Sequence, residues 1–283
     1  MSVRITGLFS YPIKSGAAVA HTQVDVDGRG LVGDREYMVV DEQGVFLTQR
    51  EAPLLALVRL ASDQVVVPAG RALVVPGRGC TVTVWGYTGP AVDCGDSAAE
   101  LLSAHLGRAC RLVRTPAEHG RRSDDDRSGV GFADGYPLLL ISEESLADLN
   151  ARLPVPLPMD RFRPNIVVAG GAAFAEDGWE SVLLGAIPAE VVKPCLRCAI
   201  TRVDQATGIR GDGEPLRTLG TYRKAKGGVR FGQNVVHGGV GNLRVGDREG
   251  LHRHEHRQRV HQQLASHQQP EVAAHALQAE PGQ

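Results

Sequence analysis

Two cysteines three positions apart, Cys195 and Cys198, sit in the run Lys193-Pro194-Cys195-Leu196-Arg197-Cys198-Ala199-Ile200-Thr201, with Val203-Asp204 following. A guanidinium beside a thiol favours the thiolate, the form that binds metal. Thiolates select soft metal centres over hard ones. A lone C-x-x-C pair has several readings, and its surroundings must discriminate. A closed zinc site needs four ligands, usually two such pairs or one pair with two histidines. The other cysteines, Cys80, Cys94 and Cys110, are scattered upstream and form no second pair. Histidines near the C-terminus keep zinc open as an alternative. A thioredoxin-like pair opens a helix within a βαβ pattern. Here residues 186–192 read as a strand ending at Cys195, and Ile200, Arg202 and Val203 read as more strand, which argues against that motif. Simple burial is the third reading, common for free cysteine and weaker for Cys198 beside Arg197.

Cationic and amide groups also stand at the ends of expected elements. Lys14-Ser15 follow the turn at Tyr11-Pro12, Arg35 follows Gly33-Asp34, and Arg163 and Asn165 bracket Pro164. Arginine forks suit phosphate, and Lys and Ser supply further donors. Each group alone reads as a solvated surface residue. Together they describe a thiolate flanked by an oxyanion pocket.

The elements that must position these groups are mostly strands. Val3, Ile5 and Leu8 open a short extended run. Residues 37–40 and 45–48 flank Asp41-Glu42-Gln43-Gly44 as a hairpin, and 54–60, 65–67, 72–75 and 81–85 continue the β pattern. Many short strands at that spacing predict a barrel or sandwich. A helix is predicted over 98–106, with Ser97 and Glu100 as a capping box and Gly107 as its stop. Residues 110–113 read as a strand, and the charged segment 118–131 reads as a solvated loop between two units. Beyond it, 137–141, 166–169, 179–184, 186–192, 199–203 and 229–236 read as strands. A helix starts at Ser142-Glu143-Glu144 with Leu146, Leu149 and Leu153 as its apolar stripe, and 216–223 reads as a helical turn.

Composition bounds the function classes. With 283 residues, 42% hydrophobic, 34 Gly and 16 Pro, the chain predicts a turn-rich globule of one large or two modest domains. A net charge of −1 gives no field for nucleic acid or an acidic membrane. Five cysteines without regular spacing are no disulfide framework, so a reducing, cytoplasmic setting is expected. The first residues lack the basic and apolar regions of a signal peptide, and no apolar run approaches the ~20 residues of a membrane span.

The set Tyr11-Pro12-Ile13-Lys14-Ser15, Gly33-Asp34-Arg35, Phe162-Arg163-Pro164-Asn165-Ile166-Val167, Cys195-Leu196-Arg197-Cys198 and Phe231-Gly232-Gln233-Asn234 resembles the MOSC family. It is most similar to the branch with an N-terminal β-barrel domain, which includes the mitochondrial amidoxime reducing component and its bacterial relatives. The resemblance covers residues 3–247 in order. It implies a mainly β (α+β) fold: an N-terminal β-barrel-like domain over 1–115, a MOSC β-barrel domain over 116–247, and a few peripheral helices. Residues 248–283, rich in His and Gln, are expected to form a disordered tail.

The resemblance also implies a molybdenum cofactor, a phosphate-bearing molybdenum pyranopterin. By position Cys198 matches the metal-ligating cysteine. Lys14, Ser15, Arg35, Arg163 and Asn165 match groups that hold the pterin and its phosphate. Asp134, before Tyr136-Pro137, lies where the family places an acidic residue near the metal, and Arg197, Thr201 and Gln233 are further pocket candidates. The implied activity is two-electron oxygen removal from a small N-hydroxylated or N-oxide substrate. No four cysteines with cluster spacing follow residue 198, so a separate donor of ferredoxin, flavoprotein or cytochrome type is expected. Rival readings are a sulfur carrier, with a persulfide on Cys198 and a pyridoxal-phosphate-dependent cysteine desulfurase as partner, and a non-catalytic cofactor store. A monomer that binds neither nucleic acid nor membrane is expected. The family pattern continues past Leu243-Arg244-Val245-Gly246-Asp247 with another strand, where this chain turns to His and Gln. A final strand is therefore expected to be missing or degraded.

Overall fold

The computed structural model describes residues 3–252, and the expectation of a mainly β fold is met. The largest sheet has nine strands. Eight form a path in the order Glu249–His252, Ser181–Leu184, Ile187–Arg197, Gly228–His237, Leu138–Ser142, Ile166–Ala169, Arg4–Ser10 and Val19–His21, and Lys224–Ala225 pairs beside Gly228–His237. Leu138–Ser142 and Ile166–Ala169 run parallel, joined by a crossover carrying the helix Glu143–Asn150. Arg4–Ser10, from the far N-terminal side of residue 115, pairs antiparallel with Ile166–Ala169. Its Ile5 and Leu8 enter one core with Leu140, Ile166, Val168 and Val235. A second core lies under the sheet Tyr37–Val40, Arg111–Arg114, Tyr87–Asp93, Gly79–Val84 and a smaller one of three short strands spanning Arg59–Leu73. The helix Asp96–Leu106 closes it with Ala98 and Leu102. Among the described residues no helix is long and apolar enough to cross a membrane.

Local signals were met in part. Gly107 ends the first helix in the left-handed region at φ +67°, but the N-cap is Gly95, without a side-chain bond, rather than the box at Ser97. Ser142 caps the second helix by accepting from Ser145 N. Residues 54–60 are no strand: Pro53 starts a 3-10 turn, Pro53–Leu57, ahead of Arg59–Ala61. Residues 199–203 are no strand either. Ala199–Arg202 is a 3-10 turn, and the preceding strand runs on through Cys195 to Arg197. The segment 118–131 is not simply solvated. Arg121, Ser123, Ser128 and Val130 are buried, and the Arg121 guanidinium donates to Gly131 O (2.9 Å), Ala133 O (2.5 Å) and Asp134 O (2.6 Å). The final strand is present: Glu249–His252 pairs with Ser181–Leu184. The tail expected over 248–283 is thus overturned for Glu249–His252, and 253–283 lie outside the described residues.

A bulge shapes the strand that carries the cysteines. Pro194 pairs with Gln233 and Leu196 with Arg230, so Phe231 and Gly232 stand opposite the single residue Cys195. Gly232 takes φ +80°, and a Cβ there would meet Leu140 O at 2.9 Å and Ile141 Cγ1 at 2.6 Å. Gly232→Ala is therefore expected to cost about 2–4 kcal/mol, overpacking added to left-handed strain. Denaturant unfolding checks this. A midpoint equal to wild type would show that the bulge relaxes freely.

Candidate functional site

The loop after the first strand brings Tyr11, Lys14 and Ser15 beneath the joint between the two cores. Tyr11 is buried; its backbone N donates to Asp34 Oδ1 (2.8 Å) and its hydroxyl to Pro164 O (3.0 Å). Burial pushes that hydroxyl well above its ordinary pKa, so it stays neutral. The guanidinium carbons of Arg35 and Arg163 lie 4.5 and 4.1 Å from its ring centroid. Three residues here adopt left-handed backbone despite carrying side chains: Ser15 (φ +63°), Arg35 (+49°) and Arg163 (+58°). Such conformations cluster at ligand sites, where the surrounding structure over-determines them.

These side chains line one cleft together with Asp134, Asn165, Cys195, Arg197, Cys198 and Asn234. Lys14 is 4% exposed; its ammonium donates to Phe132 O (2.8 Å) and to the Asp134 carboxylate. Burial lowers the Lys14 pKa against the opposing pull of Asp134. Asp134 stands at the mouth, its side chain 59% exposed, and accepts from Trp85 Nε1 (3.0 Å). Loss of water would raise its pKa, but the Lys14 ammonium and the indole N–H override this and hold it well below the usual carboxylate range. The pair therefore keeps its proton on Lys14.

Arg35 is neutralised by Asp34, Nη1 to Oδ2 at 2.5 Å, and also donates to Asn165 Oδ1 (3.0 Å). Asn165 is a strut: Oδ1 accepts from Arg35 and from Leu139 N, while Nδ2 donates to Phe9 O and Asp34 Oδ1. Its amide is fully engaged, so it acts on a ligand through Arg35. The Ser15 hydroxyl makes no hydrogen bond among the described residues. Arg163 is 8% exposed and donates to Gly16 O (2.6 Å) and Gln205 Oε1 (3.2 Å), with no carboxylate partner among the described residues. Burial pushes its pKa down to about 10.

The thiols face cations. Arg50 Nη2 lies 3.2 Å from Cys198 Sγ, and Arg197 Nη1 lies 2.9 Å from Cys195 Sγ. Arg197 Nη2 donates to Phe162 O (2.6 Å), leaving its buried Nε without a partner among the described residues. Arg50, Arg163 and Arg197 all lack a carboxylate partner there, so the cleft carries an excess of positive charge. A buried cation without a counter-ion is costly, and an anionic ligand removes that cost. Cysteine sulfur and an anion cradle on one cleft are the donors that a phosphate-bearing, thiolate-ligated metal cofactor requires. Among the described residues no three His, Cys, Asp or Glu side chains are grouped to hold a metal by themselves, so the zinc alternative has no ligand set there.

Two sequence candidates face elsewhere. Thr201 is buried and donates to Cys198 O (2.9 Å), bracing the turn that presents the thiol. Gln233 donates to Asp177 Oδ1 (2.7 Å) in a network with Arg223, and its neighbour Asn234 lines the cleft instead. Arg50 and Trp85 were not singled out from sequence. Arg50 follows a hairpin with no motif around it, and only the packing of the two halves reveals its role.

Comparison with known proteins matches residues 2–109 to the MOSC N-terminal beta barrel domain and residues 127–248 to the MOSC domain. Mitochondrial amidoxime-reducing component 1 of Mus musculus is 32% identical over 86% of this chain and 80% of its own length. Mitochondrial amidoxime reducing component 2 of Rattus norvegicus is 34% identical over 86% of this chain and 81% of its own. The crystal structure of the YUAD protein from Bacillus subtilis matches with a TM-score of 0.41 and 12% identity, over 88% of this chain and 94% of that one.

Proposed function

The chain belongs to the MOSC family, with the MOSC N-terminal β-barrel domain ahead of the MOSC domain, and on that premise we propose that it is a molybdenum-cofactor-dependent reductase of small N-hydroxylated compounds. One observation carries the reading: Arg163, buried and without a carboxylate partner among the described residues, lines the same cleft as the Cys198 thiol that faces Arg50. The relatives' names speak of amidoxime reduction, and the cleft has the donors that such chemistry requires.

Cys198 would hold the metal. Lys14, Ser15, Arg35 and Arg163 would hold the phosphate and pterin, with Asn165 fixing Arg35. When bound, the cofactor supplies the two-electron redox chemistry. The net reaction breaks the N–O bond, consumes two electrons and two protons, and releases water. The electrons come from a separate donor protein. Asp134, held ionised, is a poor proton donor and a good acceptor, so its role is to orient an N–H or O–H of the substrate. Lys14 fixes that carboxylate, and Arg50 and the turn braced by Thr201 keep the Cys198 sulfur aimed into the cleft.

The sulfur-carrier alternative accounts for the Cys198–Arg50 contact but gives no purpose to the buried Arg163, which has no carboxylate partner among the described residues. The deciding experiment uses protein made in a cofactor-synthesising host, assayed for oxidation of a reduced viologen dye by an N-hydroxylated amidine. Stoichiometric molybdenum with dye oxidation is expected. Metal-free protein carrying a persulfide on Cys198 would replace the reductase reading with the carrier.

A further inference from the structure

Past Asp134 and Gly135 the cleft continues into a wider groove of about 590 Å³, lined by Trp85 and Tyr87 on one side and by Arg121, Arg122 and Asp124 on the other. That volume lies in the range of small-molecule sites. The groove shares Asp134 and Gly135 with the cleft, so a ligand lying in it adjoins the cleft at those two residues.

Trp85 is the unexpected residue in its wall. It sits at the tip of the hairpin Gly79–Val84/Tyr87–Asp93, where Val84 pairs with Tyr87 and leaves the two-residue loop Trp85-Gly86. Trp85 takes φ +53°. Hairpin loops of this length reserve positive φ at the first position for Gly, Asn or Asp, and a bulky residue there is an outlier. The chain places its glycine second and a tryptophan first, so turn formation does not explain the ring. Nor does burial: the residue is 48% exposed. The ring is nevertheless fixed. Phe46 packs against it at 4.9 Å, the Arg50 guanidinium lies 5.0 Å from its centroid, and Nε1 donates to Asp134. A strained, held and half-exposed indole beside the site is a binding surface awaiting a flat partner.

The geometry points to this groove as the seat of the planar, apolar body of the substrate, stacked on Trp85, while its N–OH end enters the cleft past Asp134. The inference rests on the reductase reading for the identity of the reacting end, and it adds the substrate class: aryl N-hydroxyamidines over small alkyl ones. Arg121 is turned onto backbone carbonyls and Arg122 pairs with Asp126. Asp124 and Asp134 line the groove beside them, two carboxylates against two guanidiniums, so the wall presents no excess positive charge that would select an anionic body.

The test compares benzamidoxime with acetamidoxime on the cofactor-loaded protein, as kcat/KM with a reduced dye, in wild type, Trp85→Ala and Trp85→Phe. Molybdenum content is measured for each, together with calorimetric binding of benzamidoxime. Trp85→Ala is expected to lower the benzamidoxime to acetamidoxime ratio about tenfold. Trp85→Phe keeps a ring but loses the bond to Asp134, and is expected to hold the ratio within about threefold of wild type. A Phe variant as impaired in that ratio as the Ala variant would overturn the inference, because the Asp134 bond would then be the cause. Equal losses on both substrates, or a Trp85→Ala protein depleted of molybdenum, would overturn it too, placing the ring in the fold or in the cofactor's seat. If wild type turns over neither compound yet binds benzamidoxime through Trp85, the reductase reading fails and the groove stands. If wild type does not bind benzamidoxime, the groove assignment fails.

Discussion

Protein carrying Cys198→Ser is expected to leave a cofactor-synthesising host with under about a tenth of the wild-type molybdenum, and with no measurable turnover. A serine hydroxyl is a hard donor that stays protonated at neutral pH, whereas the thiol here faces a guanidinium at 3.2 Å. The substitution removes soft-ligand character and leaves Arg50 without its sulfur. Folding should survive, since Cys198 sits at the end of a strand, only partly buried, on the cleft wall. Cys195→Ser is the matched control. Its sulfur lines the same cleft, but its cation is Arg197, and it stands where the bulge turns the strand. Most of the metal should remain in that variant. Elemental mass spectrometry on the purified proteins decides the matter. Full metal in Cys198→Ser would remove this residue from the coordination sphere, and loss in Cys195→Ser alone would exchange the two roles.

The second large effect runs in opposite directions in the empty and the loaded protein. Arg163→Met deletes a buried charge that has no carboxylate partner among the described residues, and with it the guanidinium that lies 4.1 Å from the Tyr11 ring centroid, while keeping an unbranched apolar side chain. Two hydrogen bonds, to Gly16 O and Gln205 Oε1, are lost, at roughly 1 kcal/mol each. Relief of an uncompensated buried cation offsets that loss. The cofactor-free variant is therefore expected to unfold within about 2 kcal/mol of wild type. Its response to phosphate should differ sharply. Inorganic phosphate at 100 times its dissociation constant stabilises a binding protein by about 2.7 kcal/mol, and this shift should appear in wild type and vanish in the variant. Thermal melts across a phosphate series measure it. An unchanged phosphate response in Arg163→Met would show that the anion is held elsewhere, and the cradle would lose its central member.

Residues that act at the ends of elements were the ones legible in the sequence. Lys14, Ser15 and Arg35 follow turns marked by Pro or Gly, Arg163 stands directly before Pro164, and a side chain at a strand end is free to converge on a ligand whatever the register of the sheet. Gln233 was misread for the converse reason. Which face a strand residue takes depends on counting by two from a known pair, and the bulge at Phe231-Gly232 breaks that count. The motif was visible, but the side of the strand was not. Arg50 left no local trace because its contact with Cys198 spans 148 residues. Arg121 was hidden among charges that read as solvated, although its guanidinium caps three carbonyls of the segment bearing Asp134. The strand pattern survived in outline, and it failed where Pro53 and the turn after Cys198 replaced extended backbone with 3-10 geometry.

The pairing of Arg4–Ser10 with Ile166–Ala169 bears on how the chain is made. A ribosome delivers the N-terminal strand first, yet its partner follows some 160 residues later. During that interval Ile5 and Leu8 must be shielded by nascent-chain partners or by a chaperone. The same pairing sets a limit on gene fusion and truncation. A fragment begun after residue 115 would expose Ile166–Ala169 as an open edge with unpaired N–H and C=O groups, a template for aggregation. The MOSC half, as a transferable genetic unit, therefore has to carry the residues up to Leu31 with it, because Val24, Val26 and Leu31 enter the same core as Ile5 and Leu8, Val19–His21 pairs with Arg4–Ser10 and Gln23–Asp27 pairs with Gly241–Arg244.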